Sequence, residues 1–170
     1  MTSSMPQAKR QPSSHVIFCD DVRQEVGEKR TLVGVYGTEL AVPQIPTLIP
    51  KFYAVTTLIC YHKEMPKALS VRLAYNDEEI GRAELSPDEV QAWMKSADAE
   101  LSEEVIEFPA DDHPKLRLTV EICISPFVIQ NVGRLASFIE TDIGSVRAGS
   151  IKIIKKDGVK YGTPLRRLKA

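Results

Sequence analysis

Residues 51–61, KFYAVTTLICY, are apolar on both of their alternating sets, with Phe52, Ala54, Leu58 and Cys60 in one and Tyr53, Val55, Ile59 and Tyr61 in the other. β-Branched and aromatic side chains dominate, and no glycine, proline or acidic residue interrupts them. Side chains on a strand point alternately to opposite faces, so a strand that is apolar in both phases is covered on both sides. The stretch predicts a central strand, and hence a layered, sheet-based fold.

The flanking sequence supplies partners. Residues 115–124, KLRLTVEICI, place Leu116, Leu118, Val120, Ile122 and Ile124 in one phase and mostly polar residues in the other, the pattern of a strand with one wet face. Residues 68–75 and 79–85 flank Asn76-Asp77-Glu78 as a half-exposed hairpin. Further strands are expected at 127–129, 133–140 and 145–154, with turns at 130–133 and 141–144. At the N-terminal side, Val16–Asp20 and Arg30–Tyr36 predict a hairpin closed over 25–29, where Gly27 permits a tight turn. Asp157-Gly158 predicts a last two-residue turn folding 159–161 back, and Val105–Phe108 is a possible short strand.

Two segments break the strand pattern. Residues 41–50, AVPQIPTLIP, carry three prolines, which remove ladder donors and exclude a central strand or helix, so an extended crossover with apolar anchors is expected. Ser86-Pro87-Asp88-Glu89 is a capping box with proline at the first helical position, followed by Val90, Trp93, Met94 and Ala97 at helical spacing. One amphipathic helix near 87–99 follows.

Eight or more strands and one helix predict a mainly β fold. An antiparallel β-sandwich, immunoglobulin-like or C2-like with one inserted amphipathic helix, is the expected architecture, and a closed barrel its main competitor. Without alternating βα units, a parallel sheet and the nucleotide folds built on it are not expected. The expected organisation is a disordered lead-in over 1–13, one sandwich domain over 14–163 and a basic tail over 164–170.

The totals narrow function. Of 170 residues, 26% are charged and the net charge is −1, so no global field draws the chain toward nucleic acid or anionic lipid. Charge is unevenly placed, however: residues 77–112 hold thirteen acids against Arg82 and Lys95, a balance of −11, whereas residues 146–170 balance at +7. No apolar run has the length of a signal peptide core or a membrane span, which predicts a cytoplasmic location. Cys19, Cys60 and Cys123 are odd in number and far apart, the usage of reduced core thiols.

The opening block FCDDVRQEVGEKRTLVGVYGTELAVPQIPTLIPKF, residues 18–52, and the closing block SPFVIQNVGRLASFIETDIGSVRAGSIKI, residues 125–153, together resemble an uncharacterised bacterial family, a domain of unknown function. That family opens with FCDDVR…G-K…L-V-G-V-Y and closes with GRL…ETD…RAGSIKI. The resemblance implies a small β-sandwich and carries no catalytic residues. Glu28 stands where the family often has a second glycine, which bears on the turn type.

Candidate sites are few. Asp20 and Asp21 leave the first strand on opposite faces, so one is expected to bind loop amides while Arg23 pairs with a carboxylate. A calcium site formed by Asp20 or Asp21 meeting Asp111 or Asp112 from a facing loop is the alternative, giving a calcium-dependent ligand- or membrane-surface-binding domain. Trp93 on the helix and Arg166 and Arg167 in the tail are candidate partner-binding residues. No hydrolase, P-loop or zinc signature is present, His15, His62 and His113 are scattered, and the thiols lie inside strands; an unrecognised hydrolase using His113 is a third reading. The expected function is therefore a non-enzymatic protein-interaction or assembly module. No cofactor and no nucleic-acid module is expected; a protein partner or self-association is. The prolyl crossover, the helix and the charged ends are the candidate contact surfaces.

Overall fold

A computed structural model describes residues 12–27, 29–61, 64–103 and 115–157. It is mainly β. The elements are β1 (Ser13–Cys19), β2 (Asp21–Gln24), β3 (Arg30–Val33), β4 (Glu39–Val42), β5 (Thr47–Ile49), β6 (Phe52–Tyr61), β7 (Leu69–Tyr75), β8 (Glu78–Leu85), α1 (Pro87–Glu103), β9 (Lys115–Ile124), β10 (Phe127–Ile129), β11 (Gly133–Thr141) and β12 (Gly144–Lys155). Residues 105–108 and 158–161, where further strands were expected, lie outside the described residues, as do His62 and His113.

Two sheets enclose the core. The three-stranded sheet has order β1-β6-β9 and the five-stranded sheet β4-β12-β11-β7-β8. Phe18, Leu58 and Leu118 from the first interdigitate with Leu73, Leu135, Ile139 and Ile151 from the second. The layers also meet at their edges, with β1 against β12 and β8 against β9. A Cβ on Gly149 of β12 would lie 2.8 Å from Val16 Cγ1, so only glycine lets that edge approach. This edge contact gives the sandwich a barrel-like closure and shields the strand edges.

β6 is central, as its composition predicts, and its second cover is local. Phe52, Ala54, Leu58 and Cys60 face the core. On the other side the β2–β3 hairpin lies over the three-stranded sheet, with Arg30 Nε 2.9 Å from Glu121 Oε1 and Lys51 Nζ 2.8 Å from Asp21 Oδ1. Val55 and Cys19, on the face turned from the core, are buried in consequence.

The N-terminal pairing differs from expectation. The hairpin joins Asp21–Gln24 to Arg30–Val33, while β1 pairs antiparallel with β6. A bend at Asp20 separates the two. Turn chemistry at Gly27 specifies that a hairpin closes there, but the apolar run before Asp20 finds more burial against β6 than against a four-residue edge strand. The prolyl segment also pairs, though never centrally: β4 is an edge strand running parallel to β12, and β5 forms a two-stranded ribbon with β10. β4 is thus the parallel exception in an otherwise antiparallel set of described pairings. The Ile45–Pro46 and Ser125–Pro126 bonds are cis.

The remaining elements follow their local signals. Asn76 and Asp77, both at positive φ, turn β7 into β8. Ser86 caps α1: Glu89 N donates to Ser86 Oγ at 3.3 Å and Ser86 N donates to Glu89 Oε2 at 2.8 Å. The helix is one turn longer than expected, and Val90 is buried while Trp93 packs, partly buried, against the core.

Candidate functional site

The end of the sandwich where β1 finishes and β6 begins is built on aromatic rings. Phe18 and Tyr36 stack on Phe52 with centroids at 5.8 and 5.6 Å, Phe127 lies 5.1 Å from Phe52, and Tyr75 meets Phe127 edge-on at 5.8 Å. Such contacts add to area burial and make a stiff platform. Tyr75 is tied further, its hydroxyl donating to Asn131 O while accepting from Asn131 N at 3.1 Å.

Over this platform lies the β5–β10 ribbon. Alternation turns Ile49, Phe127 and Ile129 inward and leaves Leu48 and Val128 facing outward. Leu48 and Val128 are direct cross-strand partners, exposed by 53% and 42%. Pro43, Gln44, Pro46 and Pro50 before and around Leu48 are exposed, as are Pro126, Gln130 and Val132 around Val128. In a chain that is 26% charged, neither residues 41–50 nor residues 125–133 contain a single Asp, Glu, Lys or Arg. Residues 41–50 are an expected contact surface and residues 125–133 are not; the absence of charge that the two segments share is the signal in the sequence that marks the second.

Asp20 and Asp21 border this end and divide as the strand geometry requires. Asp20 N donates to Val33 O at 3.0 Å, and the Asp20 carboxylate accepts from Tyr36 OH. A Cβ at Gly34, whose φ is +67°, would overlap that carboxylate. Asp21 instead pairs with Lys51 at 2.8 Å and Arg23 at 3.4 Å, and the Lys51 hydrogen bond first, then Arg23, holds its carboxyl below the usual range. The ammonium of Lys51 is raised in turn by Asp21.

Asp111 and Asp112 lie outside the described residues, but Lys115, which follows them, is placed. Register sets Cys19 opposite Tyr53, and Tyr53 opposite Cys123, eight residues along β9 from Lys115. That separation is about 26 Å at 3.3 Å per residue. Among the described residues, no group of three or more His, Cys, Asp or Glu is placed to hold a metal.

The opposite end carries a groove of about 620 Å³ between the start of α1 and the β7, β8 and β11 ends. Ala68, Leu85 and Pro87 form its apolar part and Glu84, Glu140 and Asp142 its acidic rim. Glu140 is engaged by Arg72 and by Arg82, each at 2.8 Å, and those two guanidinium groups hold its carboxyl low, Arg72 contributing most. Arg82 also binds Glu79 at 2.8 Å, which lowers Glu79 likewise.

The thiols are free and unlike one another. Cys19 and Cys60 are buried and burial raises both, Cys60 to about 11, the reverse of what a thiolate nucleophile needs. Cys123 is exposed, a correction to the expectation of three core thiols; it stands in the wet phase of β9. Trp93 packs on the core, and Arg166 and Arg167 lie outside the described residues. Among the described residues no helix is long and apolar enough to cross a membrane. Comparison with protein-family models, with curated proteins and with solved structures gives no match.

Proposed function

We propose that this domain is a cytoplasmic protein-interaction module, not an enzyme, and that it binds a partner protein through the uncharged end formed by the β5–β10 ribbon. One observation carries the reading. Two segments distant in sequence, both free of charge, pair to expose Leu48 beside Val128 over a rigid aromatic bed. Depletion of charge around a central apolar cluster distinguishes the middle of an interface from ordinary surface. The prolines contribute by fixing φ, so little backbone freedom is lost on binding. The partner surface implied is apolar and uncharged. The buried, raised thiols Cys19 and Cys60 are poorly suited to act as nucleophiles.

The test is site-specific photo-crosslinking in the native cell from position 48, with position 26, which is exposed still more fully, as the control. A partner captured from position 48 and then purified should bind the wild-type chain directly, in a salt-insensitive manner. A captured protein whose purified form binds wild type and Leu48→Asp/Val128→Asp with equal affinity would overturn the reading.

A further inference from the structure

The groove at the α1 end has an apolar wall, Ala68, Leu85 and Pro87, and an acidic rim whose members are not equally committed. Glu140 is neutralised by Arg72 and Arg82. Glu89 is engaged by Ser86, whose backbone N–H and hydroxyl each lie 2.8 Å from Glu89 Oε2. Glu84 is 71% exposed with Arg82 no closer than 4.0 Å, and Asp142 accepts from the Lys67 amide at 2.9 Å. Among the described residues, Glu84 and Asp142 are thus less closely paired with cations than Glu140, and they stand beside an apolar slot. A ligand that fits must be cationic and carry apolar side chains.

The chain holds one segment of that chemistry beyond its last described residue. Residues 158–170, GVKYGTPLRRLKA, have Lys160, Arg166, Arg167 and Lys169 with no acid, and Leu165 and Leu168 flank the arginine pair. The basic pair binds carboxylates and the leucines suit the apolar wall. Residues 1–11 offer only Lys9 and Arg10.

Geometry decides whose tail it is. β12 runs from Gly144, beside the groove, to Lys155 at the far end of the sandwich, twelve residues or about 36 Å. Arg166 is eleven residues past Lys155, a maximum reach of about 36–40 Å along a perfectly straight path. The chain's own tail would meet its groove only when fully extended along the sheet, a conformation with a large entropic cost. A second copy's tail has no such restriction, and reciprocal exchange closes as a two-fold dimer.

We infer that the α1 groove binds the Leu165–Lys169 segment of a second copy of this chain, held by Glu84 and Asp142 at the rim. This contact is separate from the uncharged end and opposite in salt response. The experiment is sedimentation velocity of the full chain at low and high sodium chloride, with a tail variant (Arg166→Glu/Arg167→Glu), a groove variant (Glu84→Lys/Asp142→Lys) and their mixture. The wild type should associate at low salt and dissociate at high salt. Each variant alone should associate at least about tenfold more weakly, and the mixture, which pairs an acidic tail with a basic groove, should recover association. The tail variant alters no described strand, so it tests the contact even where the groove variant loses its fold. A wild type that is monomeric throughout, or a tail variant that associates like the wild type, overturns the inference. Leu48→Asp/Val128→Asp should associate normally, which separates failure here from failure of the uncharged end.

Discussion

Thr56 Oγ1 and Ser137 Oγ lie 2.8 Å apart in the interior, joining β6 of one sheet to β11 of the other. Both residues are almost fully buried, at 1% and 0% exposure. In a low-dielectric core each hydroxyl satisfies the other, and removing one leaves its partner unpaired. Thr56→Val, which keeps the shape, should cost about 1–3 kcal/mol in urea unfolding. Thr56→Val/Ser137→Ala should cost less than the sum of the single changes, because the pair is lost together. Strict additivity would show that the two hydroxyls do not depend on each other.

Gly34 is required twice, by its φ of +67° and by the Asp20 carboxylate against it. Gly34→Ala should lose about 1–2 kcal/mol from the left-handed backbone alone, and more from the overlap. In an Asp20→Ala background the second part should largely vanish, so the cost of Gly34→Ala should fall toward the backbone value. Chemical unfolding of the four chains measures it; an unchanged cost would remove Asp20 from the account of this turn.

Acid should weaken the fold through the arginine-bound carboxylates. Arg72 and then Arg82 hold Glu140 low, Arg82 holds Glu79 low, and Lys51 holds Asp21 low. A folded-state value below the unfolded one, about 4.3 for glutamate, gives stability that is complete above that pH and lost as pH falls through the folded value. Glu140→Gln should therefore be less stable than wild type at neutral pH, with the gap closing below about pH 4. A gap that stays constant across the acid limb would mean that Glu140 contributes by packing alone.

Thiol labelling separates the cysteines. Cys123 is exposed, whereas Cys19 and Cys60 are buried and raised by desolvation. A disulfide reagent at pH 8 should modify one thiol promptly and the other two only with denaturant. Prompt reaction of Cys19 would mean that the β2–β3 hairpin does not cover the outer face of β6.

What could be read from the chain alone was whatever a short window encodes. The double apolar phase of 51–61 marked the central strand, Ser86 and Glu89 marked the start of α1, and Asn76-Asp77 marked a turn. The alternation of 115–124 puts Cys123 in the polar phase, but the general rule that free thiols are buried led to the expectation of a core thiol, which its exposure corrects. Pairing was less accessible. Residues 13–19 carry no local sign that β6, forty residues on, outcompetes β3, and the parallel partnership of β4 with β12 spans more than a hundred residues. The uncharged end was half visible for the same reason: 41–50 stood out by its prolines, while 125–133 joined it only through the Leu48–Val128 register.

The central claim, that the Leu48–Val128 end is the binding surface, is tested most directly by calorimetric titration of the purified partner into wild type and into Leu48→Asp/Val128→Asp. Both side chains are exposed, so the variant's unfolding free energy should stay within about 0.5 kcal/mol of wild type. Its affinity should fall at least about thirtyfold, or about 2 kcal/mol, with a negative heat-capacity change on wild-type binding that shrinks in the variant. Equal affinity of the two chains, with the fold intact in both, would contradict the account.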